Sequence, residues 1–140
     1  MSYSKNLILE SIEYFCEIDK ILKNEEWMNV KGYEGFYQVS DLGRVKSLSN
    51  NNKKKEKILS PYYCEGDYLC VYLFKKGKRK RFRIHQLVSI TFLNHIPCGY
   101  NLVVNHKNFI RNDNRKTNLE IVTQRENANI KHLIYTYKYT

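Results

Sequence analysis

At 140 residues the chain has room for one ordinary domain, or for two small modules sharing limited core, and two full-sized domains are excluded. Its 24 Lys and Arg against 14 Asp and Glu give a formal charge of +10 and a pI near 9.4, so an anionic partner is expected, nucleic acid first. No run of about 18 apolar residues is present to span a membrane, and the N-terminus lacks a basic start followed by an apolar stretch and a cleavage site; a soluble, intracellular (cytoplasmic) protein without a membrane partner is expected.

Residues 1–26 hold three Lys and six acids, so the cationic excess belongs to everything downstream. Within them, residues 4–23 place Ile8, Ile12, Phe15 and Leu22 near helical spacing, which predicts an amphipathic helix. Its negative charge would be repelled by phosphate, so a helix that packs over the body is favoured over a recognition helix. From Trp27 the texture changes to β-prone pieces cut by Gly: WMNV, GYEGFYQVS and LGRVKSLS. The polar run Ser49 to Lys57 reads as an exposed loop.

Tyr68–Phe74 and Lys78–Ile84 flank a Lys75-Lys76-Gly77 turn and predict a β-hairpin. Lys75, Lys76, Lys78, Arg79, Lys80, Arg81 and Arg83 make seven of its nine residues from Lys75 to Arg83 basic, a density suited to a polyanion. Phe82 and Ile84 anchor this arm from the other side. A short helix over His85–Leu93 presents Leu87, Val88, Ile90 and Phe92 to a core. A strand at Leu102–Asn105, a polar loop 107–117, a strand at Leu119–Val122 and a helix from Thr123 to Leu133 complete a β-loop-β-α order, followed by an aromatic tail. Thr123 with Glu126 three residues later makes a capping box. Cys16, Cys64, Cys70 and Cys98 show no CxxC pair and no secretory context; free thiols are expected and a structural zinc site is disfavoured.

The chemistry is carried by the last unit. His106 ends one strand beside Asn105, Asn118 opens the next, and Asn127 sits just beyond the first turn of the following helix. An imidazole titrates near neutrality and can take a proton from water, while amide oxygens suit a hard divalent ion whose shell is completed by water and phosphate. A lone His at a strand end is ordinarily structural, and asparagines are ordinarily turn residues; the functional case rests on the combination. Asn118 is read as pinning the loop between the strands. His95 and His132 have no evident partners.

Two stretches resemble the HNH homing-type endonucleases that carry an N-terminal NUMOD4 motif, a group common in phages and mobile introns. Trp27 to Leu48 is similar to NUMOD4, whose pattern is a Trp, then GYEGxYxVS, then GRVxSL; Ile84 to Asn129, with IHQLVSITFL, VVNH and NxxNLEIVTQRENAN, is similar to the nuclease module. The resemblance implies an α+β fold: an N-terminal helical extension (1–26), a small β-rich DNA-binding segment with the basic hairpin (27–83), a ββα-metal module (84–133) and a C-terminal tail (134–140). It implies a hydrolase acting on double-stranded DNA, with His106 as general base, Asn105 and Asn127 as ligands of Mg2+ (or Mn2+), Asn118 as the middle structural Asn, and no organic cofactor. His85 falls where the family also tends to have His, and is read as structural or phosphate-contacting. Arg44, Lys46, Arg111, Arg115, Lys116 and Arg125 join the hairpin cations as candidate DNA contacts. The family commonly has Asp-Gly two and three residues after the His, where this chain has Asn108-Phe109, and Phe resists the left-handed backbone that Gly permits. Two rivals stay open: a DNA-binding relative without cleavage, and an RNA-binding protein using tyrosines as a stacking surface.

Overall fold

The computed structural model describes residues 2–49 and 55–139, so most of the polar run expected as a loop lies outside the described residues. A helix, α1 (Ser2–Lys23), precedes a four-stranded antiparallel sheet in the order β1 (Trp27–Asn29), β2 (Tyr37–Ser40), β3 (Val45–Ser47), β4 (Lys57–Ile58). A second antiparallel sheet follows, β5 (Tyr62–Cys64), β6 (Tyr68–Lys75) and β7 (Lys78–Arg83), with β7 at its edge. Helix α2 (Ile84–Phe92) leads to a two-stranded ribbon, β8 (Leu102–His106) and β9 (Leu119–Thr123), and then to α3 (Gln124–Tyr139). This is the expected α+β class.

The core explains the order. Alternate residues of β2 and β6 point inward, so Val39, Val71 and Leu73 are buried with Val30 and Val45, and the helix-spaced Ile84, Leu87 and Val88 of α2 close over them. Leu119 of β9 joins the same cluster. Helix α2 touches β2, β6, β7, β8 and β9, so one core runs beneath both the N-terminal sheets and the ribbon. The β6–β7 hairpin turns on Lys76 and Gly77, at φ 49° and 73°, the paired left-handed residues of a two-residue loop whose twist matches its strands.

Three expectations are corrected. Helix α1 forms but does not cover the body: side chains from Lys5 to Glu17 are exposed, with Leu7, Ile8, Ile12 and Phe15 all more than half so. Its apolar residues spread around much of the helix instead of forming one narrow stripe, and the core is already closed by α2. Helix α3 runs on through the predicted tail to Tyr139, since no Gly or Pro follows Leu133 to stop it. Cys64 and Cys70 are joined in a disulfide, with Cys16 and Cys98 free. The β5–β6 register pairs Tyr62 with Cys70 and Cys64 with Tyr68, which sets the two cysteines diagonally on one face with Cα atoms 6.1 Å apart. No helix among the described residues is long and apolar enough to cross a membrane.

Because Leu73 is fully buried where β6 meets α2, Leu73→Ala is expected to lower unfolding free energy by about 2–5 kcal/mol, read from the urea midpoint; an unshifted midpoint would place Leu73 outside the core.

Candidate active site and nucleic-acid face

The ribbon register pairs His106 with Leu119 and Asn105 with Glu120. Strand alternation therefore turns His106 to the face that Leu119 shares with α2, and Asn105 to the other face. His106 is buried, with its ring edge-on to His85 at 5.3 Å and tilted against Tyr68 at 6.0 Å. Its Nε2 lies 3.0 Å from Asn114 Oδ1. An amide oxygen only accepts, so this bond keeps the hydrogen on Nε2 and leaves Nδ1 with a lone pair. Burial holds the His106 pKa below the ordinary histidine range, with the Asn114 bond and the Asp113 charge acting in the opposite sense. His85 is pushed down to about 3, first by burial and then by His106 and Arg83. Both rings are thus neutral near pH 7, and His85 Nδ1 is buried without a partner.

Asn105 Nδ2 donates to Glu120 Oε1 at 2.8 Å, so its Oδ1 faces away from that carboxylate. Helix α3, which packs on both ribbon strands, carries Asn127, whose Oδ1 is buried with no hydrogen-bond partner. An orphaned buried carbonyl oxygen costs free energy unless something positive or hydrogen-donating meets it, so the donor set fits a hard cation. Among the described residues no group of three or more His, Cys, Asp and Glu is placed to hold a metal, which leaves these neutral oxygens as the candidates. Thr123 and Glu126 form the capping box: Glu126 N–H donates to Thr123 Oγ1 at 3.2 Å and Thr123 N–H to Glu126 Oε2 at 2.8 Å, which fixes where α3 begins and thereby where Asn127 lies.

The loop between the strands is held by Asn118. Its Nδ2 donates to Asn108 Oδ1 at 2.9 Å and to the Asp113 carbonyl at 2.8 Å, and its Oδ1 accepts from Asn108 N–H at 3.1 Å. Asp113 accepts from Arg115 and Asn108, which together hold its carboxyl down at about 2. The Phe109 N–H closes a tight turn onto the His106 carbonyl, and Phe109 sits at φ 62°. The left-handed turn is therefore kept where the family commonly has Gly, with Phe carrying its strain. Asn114 was not singled out by sequence; it lies in a loop rich in Asn and Asp, where no periodicity marks one amide from the next.

The cations divide. Arg44 is bound to Glu25, Lys46 to Glu56 at 2.9 Å, Arg81 to Glu65 at 3.2 Å and Arg115 to Asp113 at 2.6 Å, while Lys75 caps the Gly32 carbonyl and Arg111 the Gly66 carbonyl. Arg44 and Lys46 also flank the Trp27 ring. Among the described residues Lys76, Lys78, Arg79, Lys80, Arg83, Lys116 and Arg125 have no acidic partner. The β6–β7 register sets Arg79, Arg81 and Arg83 on one face with Tyr72 and Phe74, and Lys78 and Lys80 on the other. Arg79 lies over Tyr72 at 4.3 Å, and Arg83 and Arg111 lie over Tyr68 at 4.9 and 5.3 Å, so an arginine–aromatic face leads from the hairpin toward His106.

Since a left-handed non-glycine residue costs about 1–2 kcal/mol, Phe109→Gly is expected to gain about 1 kcal/mol of stability in chemical denaturation, part of the relief being offset by the freer unfolded chain. A loss of stability would show that the Phe109 side chain contributes more than its backbone costs.

Residues 25–74 match the NUMOD4 motif. The DNA endonuclease I-HmuI of Bacillus phage SP01 is 42% identical over 103 residues, covering 74% of this chain and 55% of that protein. An uncharacterized HNH endonuclease of Acanthamoeba polyphaga mimivirus is 39% identical over 109 residues, 76% of this chain and 26% of its own length, and a second is 36% identical over 93 residues, 66% and 26% respectively. A solved structure of DNA binding and cleavage by the HNH homing endonuclease I-HmuI matches with a TM-score of 0.68 at 40% identity, covering 79% of this chain and 60% of that one. The chain thus spans about half the length of the phage enzyme and about a quarter of each mimivirus protein. By sequence and by fold, this chain is similar to the HNH homing endonucleases, and residues 25–74 carry a NUMOD4 motif.

Proposed function

We propose that the chain is a metal-dependent DNA endonuclease that hydrolyses phosphodiester bonds, with His106 as the general base. The observation that carries this reading is the neutral, buried imidazole whose Nε2 is committed to Asn114 and whose Nδ1 is left to accept a proton from water. Asn114 then stays bonded to the imidazolium that forms. Asn105 and Asn127 would hold a divalent ion, Mg2+ or Mn2+, through their amide oxygens. When bound, that ion supplies charge stabilisation at the departing 3′ oxygen. Asn118 and Asp113 keep the intervening loop in one shape, and the arginine face of β7, with the lysines beyond it, attracts and orients the duplex backbone. Similarity to HNH endonucleases supports the reaction class.

A second reading, a DNA-binding relative that does not cut, is favoured by one feature: both amide ligands are neutral and hold a hard ion weakly. Supercoiled plasmid separates the two. Added Mg2+ is expected to give nicked product, abolished by chelator and slowed about 10²- to 10⁴-fold in His106→Ala. Equal cutting by wild type and variant would remove His106 from the mechanism, and salt-sensitive binding without nicking at any metal concentration would select the second reading.

Phosphate contact by the hairpin face is read separately. Replacing Arg79 and Arg83 by Ala should lower the slope of log affinity against log salt by about 2, if each neutralises one phosphate. An unchanged slope would place the duplex elsewhere.

A further inference from the structure

We infer that Gly43, in the turn between β2 and β3, is a positioning residue for His106 and acts through Asn114. The two lie in different halves of the chain, yet the turn is built against the loop that carries Asn114. Asp41 O accepts the Lys116 N–H at 2.7 Å, and the same Asp41 is tied back to Glu26, accepting its N–H on Oδ1 at 3.0 Å and donating its own N–H to the Glu26 carbonyl at 3.0 Å. The turn is closed from within as well: Gly43 N–H donates to Ser40 O at 3.0 Å and Arg44 N–H to Ser40 Oγ at 3.0 Å, with Ser40 fully buried. It is a fixed wall, not a pliant one.

Asn114 rests on that wall at Gly43. A Cβ at position 43 would lie 2.8 Å from Asn114 Cβ, 3.0 Å from its carbonyl oxygen and 3.1 Å from its carbonyl carbon. Two of these three atoms are backbone, so no rotation of a flexible side chain relieves the overlap; residue 114 itself must move. Asn114 is 4% exposed, and its Oδ1 accepts from His106 Nε2 at 3.0 Å. The absence of a side chain at 43 thus lets Asn114 sit where its oxygen fixes the hydrogen of the imidazole. The three atoms nearest a Cβ at position 43 all belong to Asn114, none to His106 or to a candidate metal ligand. The DNA-gripping segment, on this view, also sets the base.

Only the consequence for cleavage rests on His106 being the base; the location of its hydrogen is read independently, in long-range 1H–15N spectra of the full chain. Wild type is expected to show Nε2–H. The informative variant is Gly43→Asn, because asparagine tolerates the left-handed φ of 82° while adding the Cβ. It should populate Nδ1–H as well and slow nicking about 10- to 100-fold with DNA affinity unchanged, the usual effect of removing an outer partner of a site histidine. Asn114→Ala should do the same, and Asn114→Asp, which keeps an acceptor oxygen, should restore Nε2–H. Retention of Nε2–H alone in Asn114→Ala, or in Gly43→Asn with a cooperative melt, overturns the inference. Should Gly43→Asn fail to fold, the Asn114 pair decides. Were His106→Ala to nick like wild type, the base assignment would fall while the hydrogen position still reported the coupling.

Discussion

Everything in this molecule is arranged around the burial of one short helix. Ile84, Leu87 and Val88 of α2 fill the space between the N-terminal sheets and the β8–β9 ribbon, and each is at most 3% exposed. Burying such side chains stabilises by about 1.5–3 kcal/mol apiece, enough to hold together elements that are each too small to stand alone. The first turn of that same helix carries His85, so the packing that joins the two halves also delivers a neutral ring against His106. The geometry of the site is therefore a by-product of core formation, and loosening α2 would disturb both at once.

Charge is used in two ways. Of the cations that make up the net +10, Arg44, Lys46, Arg81 and Arg115 are engaged by carboxylates of the chain itself. Those pairs organise local structure; the Asp113–Arg115 pair, for example, lies inside the loop that Asn118 pins. The densest run of cations without a carboxylate partner lies on the β6–β7 hairpin, where Arg79 and Arg83 rest on tyrosine faces. A guanidinium supported by a ring loses less freedom on meeting a phosphate than one on a free stem.

Much of this was legible in the sequence where a local signal carried it. The Gly-punctuated strands, the hairpin turn at Lys76-Gly77 and the capping box at Thr123 follow from backbone chemistry within a few residues. The candidacy of Asn105, His106, Asn118 and Asn127 rests on their pattern and on the resemblance, since none of those residue types is telling by itself. What escaped depends on tertiary placement. Asn114 stands between His106, at the mouth of its own loop, and Gly43, which is remote from it in sequence. Helix α1 has the composition of a packing helix, yet its side chains from Lys5 to Glu17 stay exposed. The Cys64–Cys70 pairing needed the β5–β6 register, whereas the reach of α3 follows from the absence of Gly or Pro after Leu133, a signal the sequence itself carries.

Strand β7 lies at the edge of its sheet, with one row of backbone donors and acceptors unmatched by any described strand. Such a border invites a neighbouring chain to zip onto it. Here five of the six residues along that border are cationic, so two copies approaching edge to edge would bring like charges together. The residues proposed to meet a polyanion thereby also guard the molecule against self-aggregation, and a variant neutralised along β7 would lose solubility.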